Sequence, residues 1–224
     1  MNRSLALLGI LFCTSGIPPT LHAADWPQYL GPDRNGVSNE TDWNRDWAAR
    51  EPTVLWKADV GAGCSSIAIA DGRAYTMGHS RGKDRVLCLD AATGKKIWEH
   101  RYPQELDGGL YQGGPSATPT VDGEHVYTVS KNGDLLCLAS ATGEVLWAKN
   151  YLRDFGGRKQ MYGWAASPLV RGGKLFVDPG GPGAAAVALD KLSGETLWQS
   201  GDESPGYASP VHARLSSTPA TPGE

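Results

Sequence analysis

The chain has 224 residues, 40% of them hydrophobic, with 29 Gly, 15 Pro and a formal charge of −3. That is enough apolar material for one core, and the Gly and Pro load favours tight turns over long helices. The slightly acidic balance, with no basic stripe, excludes the clustered Lys and Arg that nucleic-acid binding needs. No stretch beyond the N-terminus is apolar enough to span a membrane.

Residues 1–24 read as an export signal: Arg3 supplies the positive start, Leu5–Phe12 the short apolar run, and His22-Ala23-Ala24 the small-residue cleavage site. The implied localisation is periplasmic or secreted, with no transmembrane span after signal removal. Bulky Ile10-Leu11-Phe12 before Cys13 argues against a lipid anchor. Cleavage removes one cation and no acid, moving the charge from −3 to −4. Cys64, Cys88 and Cys137 then remain. Their odd number and wide spacing imply neither a disulfide framework nor a zinc site. Cys88 and Cys137 stand at equivalent repeat positions, as small buried packing residues would.

From Trp56 onward the chain repeats itself. Gly94, Gly143 and Gly194 are spaced by 49 and 51 residues, and so are Trp98, Trp147 and Trp198. Asp71-Gly72, Asp122-Gly123 and Gly172-Gly173 keep step with them. The first unit reads as strands "SSIAIA", "RAYTMG", "RVLCLD" and "KKIWEH", with a loop at Ser80–Asp84. In the second, "PSATPTV", "HVYTVS", "LLCLAS" and "EVLWAKN" are joined by Asp122-Gly123, Asn132-Gly133 and Thr142-Gly143. "RDFGGRKQMYGW" (Arg153–Trp164), with three cations and three aromatics, reads as a solvated inter-blade loop. The third unit is "ASPLV", "KLFVDP", "AAVALD" and "ETLWQS", its middle hairpin at Gly180–Gly183. No window carries apolar residues at sustained helical spacing.

Four strands per unit of about fifty residues describe a propeller blade. In the motif, Gly94, Gly143 and Gly194 supply positive φ at a turn, and Asp90 and Asp190 cap it through a side-chain oxygen. Ala139 stands in that place in the second unit. Trp98, Trp147 and Trp198 wedge between blades. Burying roughly 150–250 Å² of indole at about 25 cal/mol/Å² is worth about 4–6 kcal/mol, an upper bound. The fold class is all-β: a partial, open β-propeller of about three complete four-stranded blades plus incomplete terminal blades, over residues 25–211. Trp56 suggests the outer strand of an incomplete blade before the first, and "YASPV" (Tyr207–Val211) opens another after the third. Residues 212–224 read as a disordered polar tail.

The phrases Leu89–Trp98, Leu138–Trp147 and Leu189–Trp198, near L-D-x-x-T/S-G-x-x-x-W, resemble the PQQ-like β-propeller repeat family. "WPQYLGPDRNGVS" (Trp26–Ser38) and "VLWKADVG" (Val54–Gly61) resemble its exported members. The resemblance implies one of two functions. Quinoprotein alcohol or glucose dehydrogenases hold pyrroloquinoline quinone and Ca²⁺ at the propeller axis and use an Asp on the substrate. Non-catalytic propellers similar to the outer-membrane assembly factor BamB use the repeat as a docking surface. The family's soluble methanol-type dehydrogenases carry a disulfide between adjacent cysteines; no Cys-Cys pair exists here.

Asp154, Asp178 and Asp202 are loose candidates for a catalytic or calcium-binding acid, and read more simply as solvated turn formers. His22, His79, His100, His125 and His212 lack ligand spacing, and Ser65, Ser167 and Ser209 lack a nucleophile setting. "GGPGAAAVALD" (Gly180–Asp190) lacks the Lys-Ser/Thr ending of a phosphate cradle. The expectation is therefore a non-catalytic exported scaffold with protein partners and no bound cofactor or metal, the alternative being a fragment of a PQQ-dependent alcohol or glucose dehydrogenase. Propellers close with four to eight blades, so this reading is of a truncated sector with open blade edges. The isolated chain is expected to self-associate through those edges; a monodisperse monomer in light scattering would contradict this.

Overall fold

The computed structural model describes residues 24–41, 43–106 and 113–213. The proposed signal cleavage region and the polar tail therefore lie almost wholly outside the described residues; His212 and Ala213, the first of that tail, have no regular structure. In the first repeat, Asp71 and Gly72, both at positive φ, turn β1 (Ala68–Ala70) into β2 (Arg73–Ser80). Arg81 and Gly82, at φ 55° and 70°, turn β2 into β3 (Lys83–Asp90). Two successive positive φ values match the twist of the flanking strands, as in type I′ hairpins. The loop expected at Ser80–Asp84 is thus only two residues long, and Ser80 pairs with Lys83. The turn through Gly94 leads to β4 (Lys96–Pro103).

The second repeat gives β5 (Thr120–Asp122), β6 (His125–Val129), β7 (Asp134–Ala139) and β8 (Val145–Asn150). A single helical turn, α1 (Tyr151–Phe155), follows. The third gives β9 (Leu169–Arg171), β10 (Lys174–Val177), β11 (Ala186–Asp190) and β12 (Thr196–Ser200). Each repeat is one antiparallel meander with its four strands in sequence order. The fold is the expected open, all-β propeller sector of three four-stranded blades.

Inner strands are shorter than the sequence suggests, three residues each. In the second and third blades, Pro119 and Pro168 stand just upstream and have no N–H for a ladder. Trp56 belongs to no strand, and neither does Tyr207–Val211.

The loop expected to be solvated at Arg153–Trp164 is a correction of another kind. Asn150 caps α1 by accepting from the Arg153 N–H, and Gly156 closes it in the left-handed conformation. Tyr151, Phe155 and Trp164 then enter the core between the second and third blades. Tyr151 and Trp164 meet edge to face at 5.6 Å, and the Trp164 indole N–H donates to the Pro179 carbonyl at 3.1 Å. A five-residue helix is too short to leave a periodic trace in sequence.

Blades pack face to face, so middle strands are apolar on both sides rather than alternating. In β3, Val86 and Cys88 face the second blade, while Leu87 and Leu89 join the cluster with Trp56 and Val60. Cys88 and Cys137 are free thiols with no exposure. Each sits between a Tyr and a Trp in cross-strand register, Tyr75–Cys88–Trp98 and Tyr127–Cys137–Trp147. Only a small side chain leaves room there for two rings. Ala188 does the same job between Phe176 and Trp198.

The motif's main contact runs between blades. The Trp98 ring lies on Gly143, where an added Cβ would fall 2.5 Å from its carbons, and the Trp98 indole N–H donates to the Ser140 carbonyl at 2.8 Å. Trp147 lies likewise on Gly194 and donates to the Lys191 carbonyl at 3.1 Å. Trp56, though in no strand, lies on Gly94 and donates to the Ala91 carbonyl at 3.0 Å. The acceptor is always three residues before the glycine. Those glycines also hold φ of 69°, 74° and 73°. Asp90 accepts from the Thr93 N–H and hydroxyl, and Asp190 from the Leu192 and Ser193 N–H groups, so the expected caps form.

These contacts rank the glycines. Gly143→Ala meets both positive φ and the Trp98 ring, whereas Gly123→Ala meets positive φ with open space around it. Backbone strain alone costs about 1–2 kcal/mol, so urea denaturation should show Gly123→Ala losing about that much and Gly143→Ala clearly more. Trp98, 8% exposed, should lose about 3–5 kcal/mol on truncation to Ala, and Trp198, 44% exposed, less. Equal losses at Gly123 and Gly143 would refute the interlock.

Candidate functional site

Two surfaces stand out from this geometry. The first is a row on the outer strands. In every blade the pairing of the third and fourth strands slips at one place: Cys88/Leu89, Cys137/Leu138 and Ala188/Leu189. The slip leaves one unpaired residue just before each Trp, namely Ile97, Leu146 and Leu197. A bulge re-aims its side chain, and these three aliphatic residues are 45%, 48% and 48% exposed. Leu55, just before Trp56, is also exposed.

The second surface is the outward face of the third blade. Phe176 and Trp198 pack there at 6.1 Å, as Tyr75 does with Trp98 and Tyr127 with Trp147. Trp98 and Trp147 are covered by the next blade, but Trp198 is 44% exposed and its indole N–H has no partner among the described residues. A cavity of about 460 Å³ opens beside it, lined by Phe176, Asp178, Trp198, Arg171, Pro210 and His212.

The candidate acids are not brought together. Asp154 accepts from the Asn150 N–H and pairs with Arg153 at 3.0 Å. Burial would raise its pKa, but those donors outweigh it and the net shift is downward. Asp202 accepts from the Gly183 N–H at 2.7 Å, pinning the third blade's middle hairpin. Asp178 differs, because burial lifts its carboxyl to about 7 and its one hydrogen bond is to its own backbone. Among the described residues no three His, Cys, Asp or Glu side chains gather to hold a metal.

Two of the candidate serines tie blades together at their inner ends. The Thr118 N–H donates to Ser167 Oγ at 2.8 Å, and the Ser167 N–H to Ser209 Oγ at 2.8 Å. Each belongs to an Ala-Ser/Thr-Pro triplet: Ala117-Thr118-Pro119, Ala166-Ser167-Pro168 and Ala208-Ser209-Pro210. That recurrence was a readable signal. Arg34, buried and held to a pKa of about 10 by desolvation, donates to the Pro168 and Pro210 carbonyls and to Gln28. It ties the N-terminal segment across the third blade to Tyr207–Val211. Ser65 is half-buried; its hydroxyl donates to the Ser66 carbonyl and its N–H to the Pro115 carbonyl, both at 3.1 Å. His79 pairs with buried Asp84 at 2.9 Å.

The Asp178 shift has a sign. Its folded pKa lies above the ordinary value of 3.8, so the folded state holds a proton that the unfolded chain releases. The stabilisation is complete below pH 4 and is lost as pH rises through about 7. Relative to Asp178→Asn, the native chain should lose stability between pH 5 and pH 8 in urea denaturation. Parallel pH profiles would show that Asp178 is not buried as a neutral acid.

No curated protein sequence matches the chain. Among solved structures, the quinohemoprotein alcohol dehydrogenase from Comamonas testosteroni superposes with a TM-score of 0.55 at 21% identity, over 78% of this chain and 26% of that one. A europium-containing methanol dehydrogenase superposes with a TM-score of 0.50 at 16% identity, over 65% of this chain and 26% of that one. BamB from Moraxella catarrhalis gives 0.40 at 20% identity, over 60% and 35%. The chain therefore spans between 26% and 35% of the length of these structures, and likeness at such identities speaks for fold alone. A sequence model described as outer membrane protein assembly factor BamB matches residues 43–147 and 108–224, so between them the two matches take in all three blades. With the repeat, the four-stranded blades and the Trp–Gly interlock in place, that match assigns the chain to the BamB family of PQQ-like β-propeller repeat proteins.

Proposed function

We propose that this chain is an exported, non-catalytic scaffold that binds other proteins through its propeller surface, in the periplasm or outside the cell. The observation that carries the reading is the row of Ile97, Leu146 and Leu197. Three blades expose an aliphatic side chain at the same bulge, roughly half open to water. Isolated surface apolar residues need no explanation, but a periodic row held out by backbone irregularity suits protein contact. The family's description as an assembly factor supports the same reading. The signal-like residues 1–24 support export. Among the described residues no helix is long and apolar enough to cross a membrane.

A fragment of a PQQ-dependent alcohol or glucose dehydrogenase is the other reading, and it rests on likeness of fold. One pair of measurements separates them. Photo-crosslinking groups at positions 97, 146 and 197 in the producing cell should give discrete adducts with partner proteins, lost when the same groups are placed at exposed Glu144 or Glu195. Adding pyrroloquinoline quinone with Ca²⁺ should give no saturable change in absorbance and no dye-linked alcohol oxidation. Quinone binding without rim adducts would overturn the scaffold reading.

A further inference from the structure

Five tryptophans lie on a glycine or inside the core: Trp26 on Gly31, Trp56 on Gly94, Trp98 on Gly143, Trp147 on Gly194, and Trp164 beside Tyr151. Trp43 and Trp47 do neither. Both rings are more than half exposed, and neither belongs to a core cluster of the described residues. They stand side by side, with centroids 6.1 Å apart and planes tilted by 56°. A lone exposed apolar side chain needs no explanation. Two adjacent indoles on a fixed frame are a surface that a ligand can use.

The frame is the loop itself. The Trp47 indole N–H donates to the Asn44 carbonyl at 2.6 Å. The Asn44 side chain donates to the Asp46 and Arg50 carbonyls and accepts from the Asp46 N–H. Asp46 then accepts from the Ala49 N–H through its carboxylate and from the Arg50 N–H through its carbonyl. The Arg45 guanidinium sits 5.6 Å from the centre of the Trp43 ring, drawn by the negative potential of the indole face. A cleft of about 460 Å³ opens between the two rings, Arg50, Glu51 and Thr53. That volume is in the usual range for a small-ligand site. Every described residue lining it falls within 43–53, so no blade face contributes to it.

We infer that the Trp43–Trp47 cleft is a binding site for a neutral saccharide, with C–H groups of a pyranose ring against the indoles and its hydroxyls against Arg50, Glu51 and Thr53. The polar lining selects the charge. Arg50 can only donate, ionised Glu51 can only accept, and the Thr53 hydroxyl does both. Among the described residues the Arg50 and Glu51 side chains have no hydrogen-bond or ion-pair partner. An anion in the cleft would meet Glu51 and a cation would meet Arg50. Sugar hydroxyls, which donate and accept, suit both at once. The rings select the shape. A flat base cannot stack on two planes tilted by 56°, whereas a puckered pyranose presents C–H groups in more than one direction. Those weakly positive C–H groups suit the negative faces of the indoles. This site goes beyond the scaffold role, which needs no small ligand.

The test is titration calorimetry of the full chain with cellotriose, maltotriose and triacetylchitotriose, paired with co-sedimentation on insoluble cellulose and chitin. The soluble sugars read a free oligosaccharide and the solids read a polymer; saturable binding of either kind supports the site. Trp43→Ala and Trp47→Ala should each weaken it at least tenfold, with thermal melts matching the native chain because neither ring is in a core. Arg50→Gln and Glu51→Gln leave both rings in place and should each weaken it at least threefold. Trp198→Ala, an exposed indole elsewhere, should bind as the native chain does. Absence of saturable binding to all five probes overturns the inference. So does binding unmoved by both Trp variants or by both glutamine variants. Saturable binding of a polyproline peptide or of phospholipid vesicles, with none of the sugars, would also overturn it and give the indoles to that ligand. Failure here with crosslinks retained at positions 97, 146 and 197 would leave the scaffold reading standing.

Discussion

An indole laid flat on a glycine of the next blade is the contact on which the rest of this molecule depends. The glycine is fixed twice over, by a positive φ that other residues resist and by a ring lying where any Cβ would be. The indole is fixed too, since its N–H reaches a carbonyl at constant offset from that glycine. Each blade thus carries a donor face and a receiving turn, and stability accrues from neighbour to neighbour as in other repeat proteins.

Much of the remaining architecture serves that contact. The bulge before each Trp lets the outer strand turn the ring toward its neighbour and the preceding aliphatic side chain toward water. The tyrosine and the small residue beside it, Cys88, Cys137 or Ala188, shape the bed in which the ring lies. At the inner ends, hydroxyl-to-amide links between successive Ala-Ser/Thr-Pro triplets keep the blades in step, and Arg34 draws the N-terminal segment over them.

A repeat of this kind yields surfaces before it yields chemistry. The acids that would suit a catalytic reading are spent on local structure: Asp154 on a helix end, Asp202 on a hairpin. Asp178 alone is held in an apolar setting, and there it interrupts a face built for packing. The fold is shared by quinone enzymes and by assembly factors, so its presence does not choose between them. The proposed scaffold role rests on the exposed aliphatic row.

The sequence by itself determined the blade count, the turn positions and the equivalence of Cys88 with Cys137, because strand length, glycine turns and burial on both faces leave local traces. It also showed that Asp90 and Asp190 could cap their turns, since an Asp three residues before a Ser or Thr turn reaches its amide. It did not show that Gly94, Gly143 and Gly194 receive rings from other blades, for the partner lies 38 to 47 residues away and touches through a face. Nor did it show that Arg153–Trp164 sends three aromatics into the core, because one helical turn is too short to carry a period. Tertiary structure alone decided which of three identical tryptophans is left in water. Among the described residues Trp198 differs from Trp98 and Trp147 in having no blade laid over it, and solvent exposure depends on what lies opposite a residue rather than on what lies beside it in the chain.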